Sequence, residues 1–582
     1  MKKLLLTFLL TVVSVSMKAV LVDGIYYQVI DMENRKAMVV KGEIWNEDYT
    51  NYEYVYYKDT LNIPPTVVIE GTTFTVTHIS SLNDCTQLTC VTLPNTIESI
   101  EQIAFQDCRK LASINLPSSL KEIGMNAFFR TGLKEISIPS SVRSIGAWAF
   151  YCDSLEKVFI PDLKAWCSME LGGDMTGVFY SKKPLQFYVG EELLTDLVIP
   201  ETVTTIKRNT FSNFNSLTSV TFHEKVDSIA NDAFRDCTGL QRVNISDLKA
   251  WCHIRFGITH VEQSGAVLYV TNPLYYAGHL FQNGVELTEL VIPEGTENIG
   301  IFAFINCKEL TKVNFPTTMR KVGAYAFEGC KNIKTVTTPS LRSYCDIDFG
   351  SLDSNPLAAN KEPWWGKLSQ LVEGDDTDAP LIIPDGVKEI KPYAFAANTS
   401  LMHLDIPASV KKIGTYAFYN NLSLGKLNIM GHLEEIGQNA FGNCTWLANG
   451  VDDHSIHVYD SNPVPISEKA FYNTYGSIPG RPYASDYIYG SPLHVPVGTK
   501  TKYEQTAGWK QFKTIIDDIE AVTLKGDVNG DGVVDVADIA SVITVMASAP
   551  QPGEASAADV NGDGTVDVAD IATVITIMAS SH

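Results

Sequence analysis

Residues 133–152 read LKEISIPSSVRSIGAWAFYC. Leu133, Ile136 and Ile138 fall on the inner side of a short strand, Pro139 ends it, and Val142 and Ile145 begin a return. Ala149 and Phe150 then fill the interior with one small and one large side chain. A single coil of this kind cannot bury its apolar side; a stack of them can. Aligned on Ala-Phe, the copies place Phe105, Phe128, Phe150, Phe234, Phe304, Phe327, Phe395, Phe418, Phe441 and Phe471 in one phase, with Phe211 in a Thr-Phe variant. Neighbours without an insertion lie 22 or 23 residues apart. The strand-ending prolines Pro94, Pro117, Pro139, Pro161, Pro200, Pro293, Pro316, Pro384 and Pro407 mark the same period. Self-similarity at this period predicts a β-rich repeat solenoid with strands paired in parallel between coils.

Three copies carry one insertion, DLKAWCSMELGG from 162, DLKAWCHIRFG from 247 and SLRSYCDIDFG from 340, each followed by KPL or NPL at Pro184, Pro273 and Pro356. Its recurrence makes it a structural unit, with Trp166, Trp251 and Tyr344 in the core. The unit L-x-x-I-x-I-P-x-x-V-x-x-I-G-x-x-A-F-x-x-C closely resembles the bacterial surface leucine-rich repeats of the BspA type, over roughly residues 75–475. A bare terminal coil exposes core, so both ends need covers. Residues 20–74, with GIYYQVI and TVVIEG, alternate as an N-terminal β cap. SPLHVPVGTKTKYEQTAGWKQFKTIID, from 491, resembles the closing unit of that family, with Trp509 and Phe512 sealing the last coil, so the solenoid spans 75–517.

After a linker at 518–525, residues 526–582 hold one loop twice: DVNGDGVVDVAD at 527–538 and DVNGDGTVDVAD at 559–570. Calcium takes six to eight hard oxygen ligands, which a loop supplies at alternate positions. Here they are Asp527, Asn529, Asp531, the carbonyl of Val533, Asp535 and Asp538, then Asp559, Asn561, Asp563, the carbonyl of Thr565, Asp567 and Asp570, for two Ca2+ ions. Gly532 and Gly564 allow the sharp turn. Position 12 is the shorter Asp rather than Glu, and the Pro-Gly break in APQPGEASAA, from 549, predicts no helix entering the second loop. Each loop runs into an exit helix whose stripe, Ile539, Val542, Ile543 and Met546 or Ile571, Val574, Ile575 and Met578, can pack on the other. The loop-helix pair resembles a type I dockerin, a small all-α calcium-binding module that plugs proteins into cohesins of polysaccharide-degrading assemblies. The resemblance implies that Val536, Ala537, Val568 and Ala569, at loop positions 10 and 11, read the partner. They are apolar pairs where the best-known versions carry hydroxyls. Near-identity of the halves allows two binding orientations related by a half-turn.

The chain has 582 residues and a net charge of −22, of which the tail from Leu524 contributes −8, which argues against a nucleic-acid partner. MKKLLLTFLLTVVSVSMKA, residues 1–19, has the pattern of a secretory signal, and no later stretch is apolar enough to span a membrane, so the protein is expected to be secreted or at the cell surface. The 11 cysteines are odd in number, lack a CxxC pair and mostly follow Ala-Phe, which makes them free, buried ladder residues. No HExxH, GxSxG or phosphate-loop motif occurs, and the 11 histidines are scattered without forming a paired acid or cysteine motif and are expected to be surface or packed residues, so no enzyme is indicated. Small polar residues at outward strand positions, Asn115, Ser137, Thr221, Asn244, Asn314, Asp405 and Asn428, could form a solvated face or read a protein or glycan ligand. Trp364 and Trp365 could pack in their insertion or stack on sugars. These features describe a non-catalytic adhesion scaffold docked through its tail. The alternatives are a structural surface protein with a calcium-folded anchor and, less favoured, a glycoside hydrolase component.

Overall fold

Each coil folds as its apolar spacing requires. In the copy at 133–152, Leu133, Ile136, Ile138, Val142, Ile145, Ala149 and Phe150 are all buried. A computed structural model describes residues 19–45, 52–172, 177–259, 269–359, 370–374, 381–448, 455–472, 487–520, 525–529, 534–548 and 557–580. Residues 1–18 of the expected signal segment 1–19, Trp364 and Trp365, residues 521–524 of the expected linker and, in the first candidate calcium loop, Asp531, Gly532 and Val533 lie outside the described residues. The chain forms two units, 1–286 and 287–582.

In the first unit, the strands Glu135–Ser137, Lys157–Ile160 and Gln186–Val189 pair in parallel, with Ile136 beside Val158 and Phe187. A second parallel ladder stacks the pairs Ser99–Ile100, Glu122–Ile123 and Ser144–Ile145 onto the cap strand Thr72–Ile79. Ahead of that ladder lie antiparallel strands Val20–Val22, Ile25–Asp31 and Lys36–Val40, and Lys36–Val40 pairs in parallel with Thr72–Ile79, which runs past the expected cap boundary at 74 to join the ladder. A third contact was not evident in the repeat spacing. The turn around Ala-Phe hydrogen-bonds to its copy in the next coil, Phe105 N to Ala127 O at 2.7 Å and Phe128 N to Ala149 O at 2.8 Å. Reaching that geometry needs left-handed backbone just before Ala-Phe, at Ile103, Asn126 and Trp148, which costs non-glycine residues free energy and is held by the stack.

Antiparallel returns interrupt the parallel sheets. Glu192–Leu193 folds back on Tyr188 and Val189, and Val285–Glu286 folds back on Phe281 and Gln282. Between these hairpins a new sheet runs through Asp196–Val198, Ser219–Phe222, Arg242–Ile245 and Leu280–Gln282. Each insertion opens with a short helix capped by its first residue: Asp162 accepts from Ala165 N at 2.9 Å, Asp247 from Ala250 N at 2.6 Å and Ser340 from Ser343 N at 3.4 Å. Trp166, Trp251 and Tyr344 are buried as expected.

In the second unit the ladders repeat, with Leu404, Leu427 and Ile456 aligned in neighbouring strands. Phe395, Phe418, Phe441 and Phe471 stack at centroid separations of 5.2–5.3 Å. Trp509 and Phe512 close the end, at 6.2 and 5.3 Å from Phe471, and Trp509 Nε1 donates to Val464 O at 3.0 Å.

The eleven cysteines are free thiols, ten of them buried and Cys90 half-buried. Five donate to a carbonyl in the preceding coil: Cys108 to Leu82, Cys152 to Phe128, Cys237 to Phe211, Cys330 to Phe304 and Cys444 to Phe418, at 3.0–3.3 Å. Burial pushes the Cys152 thiol up to about 11. The native protein is therefore expected to take up one equivalent of maleimide at neutral pH, at Cys90, and eleven once unfolded in guanidinium. Mass spectrometry of the labelled chain reads both numbers. Rapid native labelling at several sites would contradict the ladder.

Candidate calcium loops and docking face

Acidic side chains in the tail first organise backbone. In the second loop, Asp559 accepts from Gly562 N and Asp563 N through Oδ1, at 2.9 and 3.0 Å, and from Gly564 N through Oδ2 at 2.8 Å. Asn561 Oδ1 accepts from Asp563 N at 2.7 Å, and Asp563 Oδ1 accepts from Thr565 N and Oγ1 at 2.9 and 2.7 Å. The Thr565 hydroxyl is the first cause holding the Asp563 carboxyl below its ordinary range, so the loop is anionic at neutral pH. Gly564 takes φ +87°, the left-handed turn expected at position 6.

Position 12 closes each loop. Asp570 is fully buried and accepts from Asn561 N at 3.0 Å and Asp567 N at 2.9 Å. Asp538 is its counterpart, accepting from Val528 N, Asn529 N and Asp535 N at 2.8, 3.1 and 2.7 Å. Asp535 and Asp567 each cap their helix by accepting from Ala537 N or Ala569 N at 2.7 Å. Among the described residues no three His, Cys, Asp or Glu side chains are drawn together as a metal cage. The donor set nevertheless suits calcium: it consists of carboxylate, amide and carbonyl oxygens on a preshaped loop, with lone pairs left beyond the backbone bonds.

The exit helices Val536–Ala547 and Val568–Ser580 pack through Val542 and Val574, which with Val560 form a buried core against Val528, Val534, Ile539, Val566, Ile571, Ile577 and Met578. The expected stripe is thus split. Ile543, Ile575 and Met546 do not join the packing but stand 51%, 51% and 41% exposed, because the loop valines fill that space instead. Val536 and Val568 are 68% and 67% exposed, and Ala537 and Ala569 are also exposed. Seven residues turn a helix about 20° short of two turns and advance it about 10.5 Å. Val536 with Ile543, and Val568 with Ile575, therefore form two equivalent apolar pairs, one per helix. The sequence stripe held Ile543 and Ile575 but not their exposure. Ala557 and Ala558, just before the second loop, are helical, contrary to expectation, and alanine is the strongest helix former.

Four histidines pair with acids, His403 with a neighbour two residues on along its own strand and the others with more distant residues. His279 pairs with Glu286 at 2.6 Å, His403 with Asp405 at 2.8 Å, His432 with Asp460 at 2.9 Å and His494 with Asp518 at 2.9 Å. The outward strand residues also link across coils. Asn244 donates to Thr221 at 3.2 Å, Thr337 to Asn314 at 2.5 Å and Asn428 to Asp405 at 2.7 Å. Asn115 instead binds the backbone of Leu93 at both ends.

A parallel, coil-by-coil ladder with an Ala-Phe spine defines a leucine-rich repeat scaffold, and its tail is a paired loop-helix module. The chain belongs to the BspA type leucine rich repeat family, which matches residues 77–165, 186–254, 277–353 and 379–478 in six copies. A Dockerin type I domain matches residues 525–578, and such domains bind calcium. Both matched domain types are non-catalytic. Similar solved structures include a leucine-rich repeat protein from Bacteroides ovatus, 21% identical over 75% of this chain and 94% of that one, with a TM-score of 0.36. A leucine rich cell surface protein from Faecalibacterium prausnitzii is 19% identical over 71% and 95%, with a TM-score of 0.30. The pneumococcal vaccine antigen PcpA is 17% identical over 86% and 99%, with a TM-score of 0.31. No curated protein matches. No described helix is long and apolar enough to cross a membrane.

Proposed function

We propose that this leucine-rich repeat scaffold is exported and docks, through its calcium-loaded tail, to a cohesin-like receptor in an extracellular, polysaccharide-degrading assembly, while the solenoid recognises a protein or glycan. The observation that carries the docking reading is the repeated exposed pair, Val536 with Ile543 and Val568 with Ile575. A module of this size has few apolar residues to spare from its core, so leaving four in solvent points to a covering partner. In the proposed site Asp527, Asn529, Asp531, Val533, Asp535 and Asp538 hold one ion and Asp559, Asn561, Asp563, Thr565, Asp567 and Asp570 the other. Val536, Ala537, Val568 and Ala569 then meet the receptor.

Because the two faces are equivalent, one substitution leaves the other orientation available. Val536→Asp or Val568→Asp alone is expected to weaken receptor binding about twofold, a statistical loss. The double variant places a carboxylate in either contact and is expected to weaken it more than about a hundredfold, or roughly 3 kcal/mol. Binding of the full chain to receptors captured from the native cell surface in calcium, then titrated as purified protein, reads the difference. Equal affinity of the double variant would end the docking assignment.

A further inference from the structure

The outer face of the sheet between the two hairpins of the first unit carries a cleft of about 620 Å³, within the usual range of ligand sites. Its lining includes Asp196, Thr218, Gln241, Arg242, His279 and Phe281. Strand register sets Asp196, Ser219 and Arg242 side by side, and the pairing of Val243 with Leu280 brings His279 next in the row. The return strand Val285–Glu286 walls one side, where Glu286 holds His279 at 2.6 Å. Arg242 lies over the Phe281 ring, 4.1 Å from its centroid, and its charge acts on the Asp196 carboxylate across the row. Asp196 is exposed and oriented by the Ser219 hydroxyl at 2.5 Å and the Thr195 hydroxyl at 3.0 Å, which hold its carboxyl below the ordinary range. Gln241 is exposed as well.

We propose that this cleft binds a neutral, hexose-based glycan, with Asp196 accepting from sugar hydroxyls, Arg242 and Gln241 donating to them, and Phe281 giving the apolar contact. Each hydroxyl both donates and accepts, so a sugar needs donors and acceptors side by side, as here. Arg242 stands beside Asp196 and Glu286 is engaged by His279, so the row carries no excess positive charge for an anionic ligand, and a chain of net charge −22 repels polyanions. An extended peptide adding to a strand needs a free edge, whereas Ser219–Phe222, Arg242–Ile245 and Leu280–Gln282 are paired on both sides. The assignment rests on the reading of the solenoid as a recognition surface.

The test is affinity electrophoresis of the full chain in gels containing mixed-linkage β-glucan, xylan or galactomannan, with polygalacturonate as the charged comparison. At least one neutral polymer is expected to retard the protein. Arg242→Ala and Asp196→Asn should each weaken that retardation about tenfold or more, Arg242→Lys should weaken it less because the charge survives without the planar fork, and Glu309→Gln, in an exposed turn of the second unit, should leave it unchanged. Retardation that survives both Arg242→Ala and Asp196→Asn would overturn the cleft while leaving glycan recognition by the solenoid standing. No retardation in any neutral gel, or retardation by polygalacturonate alone, would overturn the cleft together with the neutral-glycan reading. Neither outcome bears on docking, which is read through calcium and the tail.

Discussion

Asp570→Ala is expected to unfold the C-terminal module in the full chain even with calcium in excess. The carboxylate it removes is fully buried and accepts from Asn561 N and Asp567 N, so two backbone donors lose their partner together. With Asn561 half-buried and Asp567 exposed, each lost partner costs about 1 kcal/mol, the low end for an unsatisfied donor. The proposed calcium ligand at position 12 is lost at the same stroke, and metal binding in small modules is folding free energy. A module with one small valine core has only a few kcal/mol in hand. Hydrogen exchange of residues 557–580 is the direct measurement: protection should vanish in the variant, and chelation of the wild type should produce the same loss. Protection equal to wild type in calcium would mean that neither the carboxylate nor the ion holds the loop. Coils 395–471 should be unchanged in either case.

The second large effect belongs to the aromatic spine. Phe418 is fully buried, with Phe395 stacked on one side at 5.2 Å and Phe441 on the other at 5.3 Å. Its backbone also serves the ladder, since Phe418 O accepts from Asn421 Nδ2 at 2.7 Å and from the Cys444 thiol at 3.3 Å. Phe418→Ala opens a cavity that neighbouring coils cannot fill without breaking their own register. The expected cost is about 3–5 kcal/mol. Because each repeat touches only its neighbours, the loss should be local. Hydrogen exchange should accelerate across coils 395–441 while residues 1–286 keep wild-type rates. A cost under about 1 kcal/mol, or uniform acceleration over the whole chain, would refute the coil-by-coil account of stability.

Much of this was legible because a solenoid makes burial a local property. Ile136, Phe150 and Leu427 are inside because of their place in the period, and no distant residue can change that. Trp166 and Trp251 were legible for the same reason, since their insertion recurs in phase. The paired acidic loops were legible as a pattern because their alternating oxygen-bearing positions fall within twelve consecutive residues. Less legible were the left-handed turns at Ile103 and Trp148, where branched and bulky residues hide a conformation usually announced by glycine. The exposure of Ile543 and Ile575 was not legible either. A helical stripe reports which residues share a side, not how much of that side the partner covers, and here Val528, Val534, Val560 and Val566 from the loops took part of the space.

Sequence alone determined the coil, its period, its core and the chemistry of the tail, because each is written within one repeat or one loop. Tertiary structure decided what lies side by side on the surface: Asn428 against Asp405, Thr337 on Asn314, and Asp196 in a row with Arg242 and His279. Those neighbours are set by strand register between coils, and insertions of unequal length place the same rung at different distances along the chain. Apolar burial needs only the right phase, whereas a polar constellation needs particular residues on adjacent rungs.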